Sequence, residues 1–404
     1  MDSRANGNSG RFRLLMAGVQ WPPETFLLRL VKGLLEAGVE VTVGCAEKPD
    51  LDHPDFRWLP MPAWDGKSRL RFLRFAGLAV RALACGPRDV QLLQRSFRAG
   101  PRYGSLVGRW NRVLPLAGRR WDVVYFPWNV AAILHLAAFD LPGPVVVSCR
   151  GAQVNIAPHN PDRTAIHDGL RATFRNAAAV HCVSEEIKRE AVDRGLDPVK
   201  AHVIRPAVDP VRFRPADPLK ARSKVFRVTT TGSLIWRKGH EYALQAMRKL
   251  ADRGVALQFD IVGEGSDRQR LLFTIHDLGL EKMVTLHGSL NEDAVLRLLQ
   301  NTDAFLLSSL SEGISNAVLE AMACGLPVVS TDCGGMAEAM TNGTEGFLVP
   351  VRDPEGMTTA LAHLAADRDL ARKMGEAGRD RVEREFTIKR QVNQWLELYR
   401  ALLN

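Results

Sequence analysis

The chain has 404 residues, of which 46% are hydrophobic and 25% are charged, and this composition is typical of a globular protein with two or three domains. It contains no run of 18 apolar residues, and its first residues lack the apolar core of a signal peptide, so neither a membrane span nor a secretory leader is predicted. Six scattered cysteines without a CxxC pair indicate buried reduced thiols, which favours a cytoplasmic location.

The net charge of +9 is concentrated in the first half of the chain. Residues 1–200 hold 28 Lys and Arg against 19 Asp and Glu, and residues 67–120 alone hold 13 basic residues and one acidic residue. Within that stretch five arginines recur every seven residues, namely Arg74, Arg81, Arg88, Arg95 and Arg102. Two interpretations stay open, a solvated basic face and a surface that attracts anionic membrane lipids. Nucleic acid is disfavoured because no recognised binding module accompanies the charge.

Strand-like and helix-like segments alternate along the first half. A helix is predicted over residues 23–37. The apolar runs that predict strands cover residues 11–19, 39–45, 122–126, 144–149, 178–183 and 201–204. Because these runs do not alternate with polar residues, they are typical of parallel strands that are covered on both faces. The pattern predicts a doubly wound, Rossmann-like α/β domain over residues 1–205.

The same alternation restarts after a proline-rich stretch at residues 205–224, which we interpret as a linker. Helices are predicted between the strands of the second half, and the chain is helical from about residue 354. The predicted strands cover residues 225–232, 257–263, 283–288, 304–309, 326–331 and 346–350. We therefore predict a second Rossmann-like α/β domain over residues 206–385, a final helix at 386–404 that crosses back to the first domain, and a cleft that both domains face.

Three glycine-marked turns join strands to helices in the second domain, at residues 232–239, 262–270 and 311–320. Glycines allow close approach of the backbone to a ligand, and helix N-termini present N–H groups to anions. The first turn also carries Arg237 and Lys238, so the set favours phosphate binding. None of the turns matches the P-loop or GxGxxG patterns, which disfavours a nucleoside triphosphatase and a dehydrogenase.

Two glutamates, Glu312 and Glu320, lie eight positions apart around the third turn. A continuous helix would separate them by about 12 Å, which exceeds the roughly 5–9.5 Å between the paired carboxylates of glycosidases. One interpretation is that they accept hydroxyl groups at opposite ends of a long ligand such as a sugar–diphosphate–nucleoside. The alternative is a pair of surface glutamates, of which the first is favoured by the helix dipole.

Longer stretches of the second half carry a family resemblance. The matching segments are GSLIWRKG, FDIVGEGSDRQRL, VTLHGSLNED, AFLLSSLSEGISNAVLEAMACGLPVVSTDCGGMAEAM and GTEGFLVPVRDPEGM. In this order, and with the Glu-x7-Glu spacing, they resemble glycosyltransferase family 4, whose members are retaining enzymes of the GT-B fold. The resemblance covers residues 225–385 well and the first half more weakly, and it points to the exopolysaccharide and cell-envelope enzymes.

The resemblance implies a role for several residues of the second domain. Arg237 and Lys238 would neutralise the donor diphosphate as it leaves, and Glu320 would bind the nucleotide ribose. Glu312 would contact sugar hydroxyls. The backbone amides beside it would be those of Gly313, Ile314, Ser315 and Asn316. The nucleotide would be lined by Val262, Gly263 and Glu264, and its base would be framed by His287, Gly288 and Leu290. No cofactor and no metal ion is implied, and the one Asp-x-Asp, at residues 367–369, is interpreted as solvated surface.

The first domain departs from the family pattern at Arg150, which follows the strand at 144–149 where many members place a histidine. Arginine cannot act as a base at neutral pH, but it could hold a donor phosphate or an anionic group of the acceptor. The segment Pro22-Pro23-Glu24-Thr25 resembles a helix start of exopolysaccharide glycosyltransferases that faces the cleft in their fold, which implies that Glu24 and Thr25 are further candidates. Asn129, after the strand at 122–126, is another.

The activity that the resemblance implies is transfer of a sugar, with retention, from a nucleotide-diphosphate sugar to a glycan or lipid-linked glycan. The first domain would bind the acceptor, and the basic stretch 67–120 would contact the anionic inner membrane face. The alternatives are a soluble GT-B synthase or epimerase acting on a small acceptor, and a nucleotide-sugar-binding protein without transfer activity, because Arg150 replaces the usual histidine.

Overall fold

The computed structural model describes residues 11–61, 106–216 and 224–404, together with positions 80 and 94. The five arginines of the seven-residue recurrence lie outside the described residues. The chain divides into two compact units. The N-terminal unit comprises Met1–Cys182, Lys188–Ile204 and Val392–Asn404, and the C-terminal unit comprises Val183–Ile187 and Arg205–Gln391.

The N-terminal unit is built on a parallel sheet with the strand order β3-β2-β1-β4-β5-β6-β7. Its strands are β1 (Arg13–Ala17), β2 (Glu40–Cys45), β3 (Phe56–Pro60), β4 (Val123–Phe126), β5 (Val145–Cys149), β6 (Ala179–Cys182) and β7 (Ala201–Val203). The central strands β4 and β5 are buried along their whole length, as expected of parallel strands that are covered on both faces.

Within the described ranges of the first half, six helices accompany the strands. They are α1 (Thr25–Glu36), α2 (Leu106–Val113), α3 (Asn129–Leu134), α4 (Ala152–Asn155), α5 (Thr164–Asn176) and α6 (Glu185–Asp193). Helix α1 buries Leu27, Leu30, Val31 and Leu34, whose spacing of three and four residues places them on one face. It begins at Thr25, so the two prolines before it precede the first turn.

The C-terminal unit has a second parallel sheet, with the strand order β10-β9-β8-β11-β12-β13. Its strands are β8 (Phe226–Thr231), β9 (Leu257–Val262), β10 (Val284–Gly288), β11 (Ala304–Leu307), β12 (Val328–Thr331) and β13 (Gly346–Val349). Its helices are α7 (His240–Asp252), α8 (Arg268–Asp277), α9 (Glu292–Leu299), α10 (Asn316–Ala323), α11 (Met336–Ala339), α12 (Pro354–Ala366) and α13 (Arg368–Glu385). The predicted α/β class, with two doubly wound parallel sheets, is confirmed.

The last helix, α14 (Ile388–Leu403), passes from one unit to the other, because the chain from Val392 onwards groups with the N-terminal unit. Its Trp395 is fully buried there, with ring centroids 4.8 Å from Tyr125 and 4.6 Å from His181. This contact attaches the end of the chain to the centre of the N-terminal sheet.

Two elements differ from the sequence-based expectation. Strand β3 was not predicted, because its sequence FRWLP is only partly buried, contains an arginine and ends in a proline, as is usual for an edge strand. The sequence of residues 335–343 predicts a helix over that whole stretch, but α11 ends at Ala339.

The five described cysteines, Cys45, Cys149, Cys182, Cys324 and Cys333, are buried and free, as predicted. Within the described ranges, no helix combines the length and the apolar character that crossing a membrane requires.

Candidate functional site

The order of the C-terminal sheet reverses between the adjacent strands β8 and β11. At such a switch point the loops that follow the two strands run in opposite directions and leave a crevice beyond the carboxyl ends, where ligands of open α/β sheets bind. The loop after β8 carries Arg237 and Lys238, and the loop after β11 carries Glu312. The fold therefore brings two of the three predicted turns together at the edge where binding is expected.

An ion pair joins these two loops. Lys238 Nζ donates to Glu312 Oε1 at 2.5 Å, and both side chains are largely buried, with exposed fractions of 15% and 9%. Ser309 Oγ donates to the same oxygen at 2.6 Å. Both donors reach the same oxygen, so Glu312 serves as a hydrogen-bond acceptor in this site.

Backbone contacts fix the two loops against each other. The amide of Leu310 donates to the Arg237 carbonyl oxygen at 2.7 Å, and Ser308 Oγ donates to the Lys238 carbonyl oxygen at 2.9 Å. These bonds hold Lys238 in place before any ligand is bound, which is the preorganisation that electrostatic stabilisation of a leaving group requires.

Two glycines make this close approach possible. Gly239 has a φ of 62°, and a Cβ atom there would lie 2.1 Å from the carbonyl oxygen of Ser308. Gly334, in the loop after β12, has a φ of 56°, and a Cβ atom there would lie 1.9 Å from the carbonyl oxygen of Glu312. Any side chain at either position would separate the loops that carry the charged pair.

Arg237 adds a positive charge that Glu312 does not neutralise. It lies beside Lys238 in the same 3-10 turn and is half-buried. Among the described residues, no carboxylate oxygen lies within 4 Å of its guanidinium group. Arg237, Lys238 and Glu312 together therefore carry a net charge of +1, which suits an anionic ligand.

Glu320 lies on α10, whose N-terminus follows the Glu312 loop. Helix α10 begins at Asn316, with Ser315 as its N-cap, and Ile314 and Ser315 are buried. Glu312 and Glu320 do not lie on one continuous helix, because Glu312 lies in the loop and only the part from Asn316 to Glu320 is helical. The separation of about 12 Å that a continuous helix would give therefore does not apply.

The predicted nucleotide-binding residues lie in the loops after β9 and β10, at the same edge of the sheet. The amide of Gly263 donates to the Gly288 carbonyl oxygen at 2.8 Å, and the amide of Leu234 donates to the Glu264 carbonyl oxygen at 2.9 Å. Leu290 follows in the loop after β10, one residue before the N-cap of α9. The fold thus gathers every predicted site residue of the second half along one edge.

His287 is held by a partner that the sequence did not reveal. Its Nε2 lies 2.7 Å from Oδ1 of Asp260, a buried residue of the neighbouring strand β9. This bond fixes the orientation of the imidazole ring at the end of β10. Asp260 could have been noticed as an acidic residue inside the otherwise apolar strand LQFDIV.

The Asp-x-Asp at residues 367–369 serves a structural purpose. Asp367 is the N-cap of α13, and its side chain accepts a hydrogen bond from the amide of Leu370 at 2.9 Å, while Asp369 is exposed. Within the part of the chain that the structure describes, no group of three His, Cys, Asp or Glu side chains is arranged to hold a metal ion.

A cavity of about 550 Å³ lies at the opposite edge of the C-terminal sheet, where β8, β11 and β12 begin. Its walls include Phe226, Arg227, Asp303, Pro327 and Arg379. Phe226, Arg227, Asp303 and Pro327 precede or open their strands, so the cavity is separate from the loops that carry Lys238 and Glu312.

The N-terminal sheet has its own switch point, between β1 and β4. Arg150 directly follows β5, and its guanidinium group donates to the Pro127 carbonyl oxygen, just beyond β4, and lies over the ring of Phe26 in α1. Asn129 is buried at the first position of α3, whereas Glu24 and Thr25 are exposed at the start of α1.

A buried polar network behind Arg150 escaped the sequence analysis. Tyr125 Oη and Ser148 Oγ lie 2.7 Å apart, and Ser148 Oγ lies 2.6 Å from His181 Nδ1. Burial, followed by the charge of Arg150, lowers the pKa of His181 to about 3, so the ring is neutral at pH 7. A possible signal was the polar residue within each of the apolar strands VVYF, VVVSC and AVHC.

Comparison with known protein families gives one match in each half of the chain. The family described as Glycosyl transferases group 1 matches residues 215–381, and the Glycosyl transferase 4-like domain matches residues 23–207. The chain is therefore a glycosyltransferase of the family 4 type, with one matching domain in each half. The predicted family and the predicted transferase class are both confirmed, and the two matches follow the two α/β sheets of the fold.

Similar proteins of known name are also glycosyltransferases. The chain is 27% identical over 399 residues to the putative colanic acid biosynthesis glycosyltransferase WcaL of Salmonella typhimurium, covering 93% of this chain and 96% of the relative. It is 30% identical over 229 residues to the amylovoran biosynthesis glycosyltransferase AmsK of Erwinia amylovora, covering 54% of this chain and 55% of the relative.

Among solved structures, Anabaena HepE in complex with UDP-glucose superimposes with a TM-score of 0.74 at 16% identity, covering 97% of this chain and all of that one. At this level of identity the likeness concerns the fold, which is that of the GT-B glycosyltransferases.

Proposed function

We propose that this glycosyltransferase takes its sugar from a nucleotide-diphosphate sugar bound at the carboxyl edge of the C-terminal sheet, transfers it with retention, and acts in the biosynthesis of a polysaccharide. The observation that carries the proposal is the buried Lys238–Glu312 pair at the β8/β11 switch point, next to Arg237 and the start of α10. This set combines cations for a diphosphate with a fixed carboxylate for hydroxyl groups.

The donor diphosphate lies against Arg237, Lys238 and the N-terminus of α10 in this proposal. Charge builds up on the diphosphate as the bond to the sugar breaks, and two fixed cations stabilise that charge more than they stabilise the intact donor. A single preorganised donor of this kind typically contributes about 10²–10³ in rate. The Gly313, Ile314, Ser315 and Asn316 segment adds backbone amides at the same place.

Glu312 contacts sugar hydroxyls in this proposal. Its Oε1 already accepts from Lys238 and Ser309, so Oε2 is the oxygen that a sugar hydroxyl would reach. A carboxylate held in this way is a poor nucleophile, which favours a front-face reaction in which the leaving diphosphate and the incoming hydroxyl lie on the same side of the sugar.

The rest of the donor follows the loops along the same edge. Glu320 binds the ribose hydroxyls, and the loops at Gly263–Glu264 and at His287–Leu290 hold the base. The similarity of fold to a protein that binds UDP-glucose supports a nucleotide sugar as the donor. No metal ion is proposed in this site, because the cations that face the diphosphate are supplied by side chains.

The acceptor is proposed to be a growing glycan or a lipid-linked glycan, held by the N-terminal unit. Support comes from the two relatives, which are named for the biosynthesis of colanic acid and of amylovoran. The basic stretch 67–120 is proposed to hold the enzyme peripherally at the inner membrane face, where anionic lipids attract basic side chains by about 1 kcal/mol each.

The first test is a calorimetric titration of UDP, GDP, ADP and dTDP, without divalent metal, into the wild type and into Glu320→Ala. We expect one nucleotide to bind and its affinity to fall at least tenfold in the variant, because the ribose loses its carboxylate partner. The control is Glu281→Ala, which removes an exposed carboxylate that precedes β10 at the opposite edge of the same sheet.

The titration, followed by turnover and vesicle-flotation assays, gives each alternative its own outcome. If no nucleotide binds, or if Glu320→Ala binds equally well, the donor site is wrongly assigned. A protein that binds the donor but turns over no acceptor is a binding protein. An epimerase would release a new free sugar when no acceptor is present, and a soluble synthase would transfer to a small acceptor without floating on anionic vesicles.

A further inference from the structure

Arg150 is fixed in place at the switch point of the N-terminal sheet. Its Nε donates to the Pro127 carbonyl oxygen at 3.1 Å, and its Nη2 donates to Tyr125 Oη at 3.1 Å. The guanidinium carbon lies 4.3 Å from the centre of the Phe26 ring and 5.8 Å from that of Trp128. Two hydrogen bonds and an aromatic face restrain this side chain, in contrast to a surface arginine, which samples many rotamers.

Arg150 and the Ile204 carbonyl oxygen end the buried chain of hydrogen bonds, and together they determine which atom donates in each bond. Arginine can only donate, so Tyr125 Oη is the acceptor at one end. The Ile204 carbonyl oxygen can only accept, so His181 carries its hydrogen on Nε2, 2.7 Å away. His181 Nδ1 therefore accepts from Ser148, and Ser148 Oγ accepts from Tyr125.

This network supplies no negative charge to Arg150. Burial lowers the pKa of His181 to about 3 and raises that of Tyr399 well above its ordinary value, so both are neutral at pH 7. A hydrogen bond with Cys182, together with burial, raises the pKa of the Cys149 thiol well above its ordinary value. Among the described residues, no carboxylate oxygen lies within 4 Å of the Arg150 guanidinium group.

A half-buried cation without a counter-ion is unfavourable, because the protein interior solvates the charge less well than water does. The guanidinium group has five N–H donors, of which the contacts described above use two. The remaining donors form the planar fork that matches a phosphate or carboxylate group. Their place beyond the carboxyl ends of β4 and β5 is where ligands of a parallel sheet bind.

We propose that Arg150 is an oxyanion-binding residue of this enzyme, which holds a phosphate or carboxylate group of a substrate at the N-terminal switch point. The inference rests on the proposed function, since the oxyanion would belong to a substrate of the proposed transfer. The oxyanion has two possible sources, the diphosphate of the donor and an anionic group of the acceptor. The aromatic contacts to Phe26 and Trp128 restrain the guanidinium plane, which favours a partner that accepts two hydrogen bonds.

The test uses the full chain and two ligands, UDP and inorganic pyrophosphate. UDP is titrated first, alone, and pyrophosphate is then titrated in the presence of saturating UDP, at constant ionic strength. The variants are Arg150→Gln, which removes the charge, and Arg150→Lys, which keeps it but loses the fork. The control is Arg163→Gln, which makes the same change in net charge at an exposed position just before α5. Thermal unfolding of each variant verifies that it is folded.

We expect pyrophosphate to bind the UDP-saturated wild type, to bind Arg150→Gln at least tenfold more weakly, and to bind Arg150→Lys with intermediate affinity. That result, with UDP affinity unchanged in Arg150→Gln, identifies an acceptor oxyanion. A tenfold loss of UDP affinity in Arg150→Gln, with no second pyrophosphate site in the wild type, identifies the donor diphosphate instead.

The proposal is overturned if Arg150→Gln binds both ligands within twofold of the wild type, or if the control variant weakens binding as much. It is equally overturned if the UDP-saturated wild type binds no pyrophosphate while the UDP affinity of Arg150→Gln is unchanged. Failure of the proposed function has a different signature, because the wild type would then bind no nucleotide in the first titration. Arg150→Lys keeps the test usable if the glutamine variant does not fold.

Discussion

The switch points of the two sheets are built alike, but the charged side chains there have different partners. Each places a basic side chain beyond the carboxyl end of a strand, Lys238 in the C-terminal unit and Arg150 in the N-terminal unit. Lys238 is paired with Glu312 inside the protein, whereas Arg150 contacts carbonyl, hydroxyl and aromatic groups that carry no charge. The charge of Lys238 is therefore compensated before a ligand arrives, whereas Arg150 has no carboxylate partner among the described residues.

This difference makes opposite demands on stability and on binding. A buried ion pair destabilises the fold when one partner is removed, because the other charge is left without compensation. A cation without a carboxylate partner already carries that cost, so its removal should change the stability little even though it weakens ligand binding. The two switch points can therefore be told apart by substitution.

The largest effect is expected for Lys238→Met. The rate of sugar transfer should fall about 10²–10³-fold, because the leaving diphosphate loses a preorganised cation. The free energy of unfolding should fall by about 3 kcal/mol, since the Glu312 carboxylate is left buried without its partner. Steady-state kinetics and urea denaturation measure the two losses.

The double variant Lys238→Met/Glu312→Gln separates the two losses. It should recover most of the stability and none of the rate, because it removes the uncompensated charge but restores no cation. Lys249→Met is the control, since it breaks an exposed pair with Glu355 and should change stability by less than about 1 kcal/mol. If Lys238→Met unfolds at the same urea concentration as the wild type, the Lys238–Glu312 ion pair does not stabilise the fold as expected.

An intermediate effect is expected of pH on the free energy of unfolding. Burial lowers the pKa of His181 in the N-terminal unit to about 3 and that of His240 in the C-terminal unit to about 4. Between these values and about 6.5 the unfolded chain binds protons that the folded chain does not. Stability is therefore complete above about pH 6.5 and falls as the pH drops, by about 1.4 kcal/mol per pH unit for each such histidine.

Urea denaturation at pH 7, 6 and 5 measures this slope. His181→Gln and His240→Gln should each make the decline shallower by the contribution of one residue. In Arg150→Gln the loss of the nearby cation should raise the pKa of His181, so the decline due to this residue should level off at a higher pH than in the wild type. A slope that neither histidine substitution changes would contradict the neutral, buried state of these rings.

The smallest effect is expected for the stability of Arg150→Gln at pH 7. The variant loses two hydrogen bonds and the contact with Phe26, but it also removes a half-buried charge, so the net change should stay within about 1 kcal/mol. A destabilisation similar to that of Lys238→Met would mean that Arg150 has a structural anionic partner and would remove the contrast between the two switch points.

The sequence by itself determined most of the architecture. Apolar runs bounded by glycine and proline predicted all the described strands except β3, because a strand covered on both faces needs hydrophobic residues wherever it lies in the chain. The same local signals placed Arg237, Lys238, Glu312 and Glu320 at strand-to-helix turns, and the order of the motifs identified the family.

Only the tertiary structure decided which of these residues meet. Lys238 and Glu312 are 74 positions apart, and they pair because β8 and β11 are neighbours in the sheet although β9 and β10 lie between them in the chain. Tyr125, Ser148 and His181 come from three successive strands and form one network only when those strands align. Local periodicity encodes strands and helices, but the charge balance of a site depends on long-range packing, which no short segment contains.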